Sequence, residues 1–213
     1  MSTTQNIAGT SVQDCDGHAD HSAYEVVFRC TPQEAKDVLA LGNEAYVRGV
    51  GTKRRASAVL RSKLVQDGQH PFAVVVTCCD SRVQPVSAFS AQLGDLFVTR
   101  TIGGYVGPVE SASVEYGVAH LGAPLVVVLG HTHCGAVKAA MEGGVTGIIA
   151  TVTDDIAAAV GDTDDPREAE CRNVRHSIER LLANDELSVL VASGHVEVVG
   201  ALYDIETGHV TWL

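Results

Sequence analysis

A chain of 213 residues is long enough for one well-buried domain and short for two. With 46% hydrophobic and 19% charged residues it reads as a globular, water-soluble protein, and its formal net charge of −11 sets it against nucleic acid and anionic membrane surfaces, which would repel it. A small-molecule substrate is the partner class that remains. No apolar run approaches the roughly 20 residues of a membrane span, and Met1 to Ala23 lacks the basic-then-apolar pattern of a secretory signal, so the expected location is the cytoplasm. There the six cysteines are expected to be thiols or ligands rather than a disulfide framework.

Residues 1–30 read as a flexible arm and 31–213 as a single α/β domain. Cys15, His18 and His21 in the arm have a metal-like spacing, but the neighbouring Asp14, Asp16, Gly17 and Asp20 favour a solvated tail, and no site is assigned there. Thr31-Pro32-Gln33-Glu34 is a capping box with proline at the first helical position, and Ala35, Val38, Leu39, Ala45 and Tyr46 follow at helical spacing. This predicts a helix over 32–47, ended by Gly49 and Gly51. Lys53, Arg54 and Arg55 form a basic cluster read as a solvated helix start, before a second helix over 56–65.

Two valine-rich runs, 73–77 and 125–129, predict buried strands. Each delivers a reactive stretch at its carboxyl end: Cys78-Cys79-Asp80-Ser81-Arg82 after the first, His131-Thr132-His133-Cys134 after the second. Between them lie Pro85, which ends any interior strand, a short strand over 96–100, a loop at Gly103-Gly104 and a helix over 109–121. Strand, crossover, strand, helix, strand is the order of a parallel sheet. Beyond Cys134, helices are expected over 136–141, 156–160 and 168–183. Strands over 195–205 and 209–213 then form an antiparallel hairpin at the sheet edge. The fold class is therefore α/β, a mostly parallel central sheet flanked by helices with a C-terminal edge hairpin.

Two thiolates and an imidazole are a common zinc set, and Cys78, His131 and Cys134 supply one while leaving a fourth position open. Cys79 should point away from Cys78 because side chains alternate along a strand end, and His133 is expected to face out of its turn. At spacing two, Asp80 and Arg82 share a side of an extended segment, where a guanidinium can clamp a carboxylate. Such a carboxylate can either accept a hydrogen bond from a metal-bound water or take the open position itself. Other chemistries fail on spacing. A phosphatase loop needs arginine six residues after its cysteine, where Gln84 and Pro85 stand; there is no C-x-x-C; and Gly103-Gly104-Tyr105-Val106-Gly107 is not a dinucleotide fingerprint.

On these motifs the chain resembles the β-class carbonic anhydrases, with C-x-D-x-R at 78–82 and H-x-x-C at 131–134, flanked by Gly130 and Gly135. The similarity spans about 32–213, including 94–98 and 203–208. The resemblance implies one zinc per chain held by Cys78, His131 and Cys134, with Asp80 and Arg82 as the catalytic pair orienting a metal-bound hydroxide that hydrates CO2 to bicarbonate. It also implies a homodimer or tetramer, and a closed state in which Asp80 becomes the fourth ligand. The family's Arg-Asn-x-x-Asn is Arg100-Thr101-Ile102-Gly103-Gly104 here, and Val86-Ser87 stands where many relatives place a glutamate. Two alternatives share the zinc ligands: a carbonyl sulfide or carbon disulfide hydrolase, and a non-catalytic zinc- or bicarbonate-binding protein. His133, Tyr105 and His120 are candidate proton shuttles.

Overall fold

Five short runs of apolar and β-branched residues make the central sheet of the computed structural model, which describes residues 28–51 and 56–213. Most of the expected N-terminal arm, with Cys15, His18 and His21, and the basic cluster Lys53-Arg54-Arg55 lie outside the described residues. The strands are β1 (Ala73–Cys78), β2 (Leu96–Thr101), β3 (Leu125–His131), β4 (Glu197–Tyr203) and β5 (Val210–Trp212), in the order β2-β1-β3-β4-β5. The first four are parallel and β5 pairs antiparallel to β4, giving the expected edge hairpin. Every residue of β1 is buried, as a strand covered on both faces should be.

Helices cover both faces. α1 (Pro32–Val47) starts at the predicted capping box, where Thr31 Oγ1 accepts from the Glu34 amide and Glu34 Oε2 accepts from the Thr31 amide at 2.8 Å. With α3 (Pro85–Ala88) it packs Leu39, Ala88 and Phe89 on Val75, Val127 and Leu129. The opposite face carries α4 (Pro108–Glu115), α7 (Pro166–Leu182) and α8 (Asp185–Ala192), whose Val114, Val174, Leu181 and Leu187 meet Val74, Val76, Val126 and Val128. The alternation of valines between these two clusters is the period-two signature of a strand, and each buried side chain contributes roughly 1.5–3 kcal/mol. α5 (Gly135–Glu142) and α6 (Ala150–Val160) close one end around Ile156, Val160 and Ala140.

Several boundaries differ from expectation for local reasons. α2 (Ala58–Asp67) begins two residues after the predicted start because Ser57 caps it, accepting from the Leu60 amide at 3.0 Å. The helix expected over 109–121 is α-helical only through Glu115. Its last turn widens so that the Leu121 amide reaches the Tyr116 carbonyl, letting Gly117 press on β1 where a Cβ would meet Val74 Cγ2 at 2.6 Å. α6 starts six residues before the expected 156, and α8 was not expected.

Two features of this topology place the site. The chain leaves β1 for β2 on one side and returns to β3 on the other, so the order reverses between β1 and β3, opening a crevice at their carboxyl ends. Gly130, near the end of β3, has no side chain, and a Cβ there would lie 2.5 Å from Val174 Cγ2; α7 can therefore approach the strand closely beside the crevice.

Candidate metal centre

Cys78 ends β1 and His131 ends β3, so the reversal brings them together. Past His131 the backbone stays tied to β4, the Thr132 amide donating to the Tyr203 carbonyl at 2.9 Å. His133 then adopts φ +57°, turning the chain so that Cys134 opens α5. The metal-ligating atoms of Cys78, His131 and Cys134 lie within 4.8 Å of one another, and all three residues are buried. Cys79 is exposed, and the His133 side chain is 64% exposed, as alternation and the tight turn led us to expect.

The hydrogen bonds define the ring's chemistry. His131 Nδ1 lies 2.9 Å from the Thr132 carbonyl, which can only accept, so Nδ1 carries the proton and the neutral ring presents a bare Nε2. That Nε2 is buried and, among the described residues, has no hydrogen-bond partner. An orphaned buried nitrogen beside two sulfurs is unfavourable in a metal-free protein and satisfied by a metal ion. Sulfur, sulfur and imidazole nitrogen are the donor types zinc prefers. The residues present therefore fit one zinc ion.

The two sulfurs divide their proton unequally. The Cys134 thiol hydrogen-bonds the Cys78 sulfur and holds Cys78 well below its ordinary pKa, aided against burial by His131 and the Asp80 amide. The same bond, with burial, raises Cys134, although the Val137 and Ala136 amides at the start of α5 pull it down. Burial disfavours a charged His131 ring, but the Cys78 thiolate and the Thr132 carbonyl raise its pKa overall, so that a proton competes with a metal ion for Nε2.

Asp80 and Arg82 form the expected clamp. Arg82 Nε donates to Asp80 Oδ1 at 3.0 Å and Nη2 to Oδ2 at 2.8 Å, and these bonds hold the carboxyl below the usual range. The segment is a turn rather than the extended stretch expected. The Val83 amide donates to the Asp80 carbonyl at 3.1 Å, and the Arg82 amide donates to Asp80 Oδ1 at 2.9 Å. Arg82 Nη2 also donates to the His133 carbonyl at 3.1 Å, tying this turn to the ligand turn opposite.

Two supporting residues escaped the sequence reading. Arg100, near the end of β2, donates from Nε to the Cys78 carbonyl at 3.1 Å and from Nη2 to the Asp80 carbonyl at 2.6 Å. Glu170 on α7 is buried and accepts from the Cys134 amide at 3.1 Å; burial raises its pKa. A detectable signal existed for Glu170, an acidic residue on the inner face of an amphipathic helix beside Ala169 and Val174. Of the candidate shuttles, the His133 ring lies 3.8 Å from Glu206, Tyr105 receives a bond from Arg180 Nη2 at 3.0 Å, and His120 stacks on Tyr116.

Comparison with known proteins agrees with this geometry. Residues 73–210 match the protein family described as carbonic anhydrase. In fold, the chain matches a solved tetrameric β-carbonic anhydrase of Sordaria macrospora at a TM-score of 0.67 and 26% identity, over 85% of this chain and 94% of that one. The chain belongs to the β-class carbonic anhydrase family. Among curated members it is 36% identical over 188 residues to carbonic anhydrase 2 of Mycobacterium tuberculosis, covering 83% of this chain and 90% of the relative. It is 34% identical over 193 residues to carbonic anhydrase of Mycolicibacterium smegmatis, covering 84% and 92%. Zinc is the cofactor of this family, and the Cys78-His131-Cys134 group has the donors to bind one ion.

Proposed function

We propose that this protein catalyses the reversible hydration of CO2 to bicarbonate, with Cys78, His131 and Cys134 holding zinc and Asp80 and Arg82 as the catalytic pair. The observation that carries the reading is the buried, unpartnered Nε2 of His131, set beside two cysteine sulfurs in a chain of this family. Bound zinc supplies Lewis acidity, bringing the pKa of a water from 15.7 to about 7 and so a nucleophile at neutral pH. Two thiolates balance the double positive charge of the ion, and the Nδ1 bond to Thr132 keeps the imidazole in the ligating tautomer.

Asp80 works as an acceptor. Its Oδ1 already takes two bonds, from the Arg82 amide and Nε, whereas Oδ2 takes one, leaving a lone pair on Oδ2. An ionised carboxylate accepts only, so a water meeting Oδ2 must point a hydrogen there and turn its own lone pair toward the substrate carbon. Arg82 keeps the carboxylate ionised and fixed in that direction. The proton facing Oδ2 stays on the oxygen and passes into bicarbonate, and the other is lost to solvent before the attack, so that water and CO2 give bicarbonate and one proton.

No observation favours the carbonyl sulfide, carbon disulfide or non-catalytic alternatives, and the curated relatives are carbonic anhydrases. A homo-oligomer, dimer or tetramer, is supported by the tetrameric relative from Sordaria macrospora; light scattering of the purified protein tests it. Residues 31–213 are read as one catalytic domain, which limited proteolysis tests, and the cytoplasm as its location, which cell fractionation tests. For the activity, stopped-flow hydration at about pH 8.5 on zinc-loaded protein should exceed the buffer rate by orders of magnitude; a rate equal to buffer refutes the reading.

A further inference from the structure

Four consecutive backbone carbonyls beside the metal centre are each held by a side chain. Asn173 Nδ2 donates to Gly103 O at 2.8 Å, Ser177 Oγ to Gly104 O at 3.3 Å, Thr101 Oγ1 to Tyr105 O at 2.7 Å, and Arg180 Nε to Val106 O. Three of these donors, Asn173, Ser177 and Arg180, lie on one stripe of α7. One turn earlier on that stripe Glu170 holds the Cys134 amide. Glu170, Asn173 and Ser177 are all buried where an amphipathic helix normally presents apolar groups. Polar side chains are retained in such places only with partners, and here the partners are site backbone atoms.

The Thr101 bond closes this loop on itself, but the two residues that Asn173 and Ser177 hold are both glycine. Gly103 and Gly104 both have positive φ, +66° and +68°, a conformation glycine enters freely and leaves as freely. Both residues lie beside segments that carry metal ligands. A Cβ on Gly104 would lie 3.7 Å from the Cys78 amide nitrogen, and one on Gly103 would lie 3.1 Å from Ala136 Cβ, two residues beyond Cys134. Movement of this loop would therefore be felt at both sulfurs.

We propose that Asn173 and Ser177 are positioning residues for the hydration reaction. By pinning the Gly103-Gly104 turn from behind, they fix the backbone of Cys78 and the start of α5, and α7 sets the geometry of the metal centre without touching substrate. This inference rests on the function proposed above. A purely structural role makes a different prediction, in which loss of either side chain lowers stability and leaves the metal's surroundings as they were.

Cobalt(II) separates the two, because its visible absorption reports ligand geometry whether or not the protein turns over. Asn173→Ala and Ser177→Ala are loaded with cobalt and compared with Asn43→Ala. Asn43 is equally buried, and its bond to the Ala88 carbonyl joins α1 to α3 while those to the Gly208 carbonyl and the Val210 amide join α1 to the C-terminal hairpin. The expected result is one cobalt per chain in all three variants, a shifted spectrum for Asn173→Ala and Ser177→Ala, and the wild-type spectrum for Asn43→Ala. The zinc forms of the first two should lose about tenfold in kcat/KM for CO2, less than the roughly hundredfold of a full 1 Å misplacement because neither side chain touches a ligand directly. Wild-type spectra in both Asn173→Ala and Ser177→Ala overturn the proposal. If Asn173→Ala does not fold, Ser177→Ala, which removes only the longer bond, decides it alone. Wild-type protein that binds cobalt yet in its zinc form hydrates no CO2 refutes the proposed function, while the spectra still decide the positioning role.

Discussion

Replacing Arg100 with methionine removes every donor of its guanidinium while keeping an unbranched side chain of similar reach. Two bonds are lost, one to the Cys78 carbonyl and one to the Asp80 carbonyl. A hydrogen bond from a charged group is worth roughly 1.5–3 kcal/mol, so two set a ceiling of about 3–6 kcal/mol. Two observations lower that ceiling. Arg100 is only half-buried, and the Asp80 carbonyl keeps a second donor in the Val83 amide. We therefore expect a loss of about 2–3 kcal/mol, which for a chain of this length lowers Tm by about 4–12 °C. The functional effect should be of similar size in free energy, because the same two carbonyls set the directions of the Cys78 sulfur and the Asp80 carboxylate. A displacement of about 1 Å at such groups costs on the order of a hundredfold in rate. Urea unfolding at saturating zinc gives the first quantity and stopped-flow kcat/KM the second. Wild-type values of both in Arg100→Met would refute the reasoning that β2 buttresses the ligand loop.

Three further outcomes follow from the same geometry. Cys134→Ala should lose zinc while Cys79→Ala retains one per chain, measured by metal analysis after dialysis; equal loss in both means the ligands are misassigned. Because Cys134 is held as a thiol by Cys78 and must ionise to bind, zinc uptake at neutral pH should release at least one proton, and affinity should fall at least about tenfold per pH unit as pH drops. Calorimetry in two buffers of different ionisation enthalpy measures this, and uptake without proton release contradicts it. Asp80 has a folded pKa below its unfolded value, so its contribution to stability is present above about pH 3.9 and fades as pH falls through that range toward the folded value. The Tm difference between wild type and Arg82→Ala should therefore shrink below about pH 4, and a constant difference down to pH 2 would argue against the clamp as its source.

The parts of this molecule legible in the sequence are those whose cause is local. Thr31 to Glu34 form their capping box from adjacent residues, and α1 runs from Pro32 to Val47 as the pattern predicted. The valine runs of β1 and β3 are buried on both faces, so they stand out without knowledge of their neighbours. Cys78, His131 and Cys134 were legible because the short stretches that carry them, 78–82 and 131–134, follow such runs, and strand ends converge in a parallel sheet. What stayed hidden acts at a distance. Arg100 holds Cys78 and Asp80, 22 and 20 residues away, and Asn173 holds Gly103, 70 residues away, in each case through backbone atoms that carry no mark of being held. The helix α8 went unread although Asn184 caps it, accepting from the Leu187 amide; Leu187 is its one buried residue, too little for a periodic signal.

The most direct test of the central claim is a titration of metal-free protein with zinc, following CO2 hydration by stopped flow at about pH 8.5. The rate should rise in proportion to added zinc and level off at one equivalent per chain, with Cys134→Ala staying at the buffer rate throughout. Zinc taken up stoichiometrically with no rise above buffer, or hydration that is independent of zinc, would contradict the account.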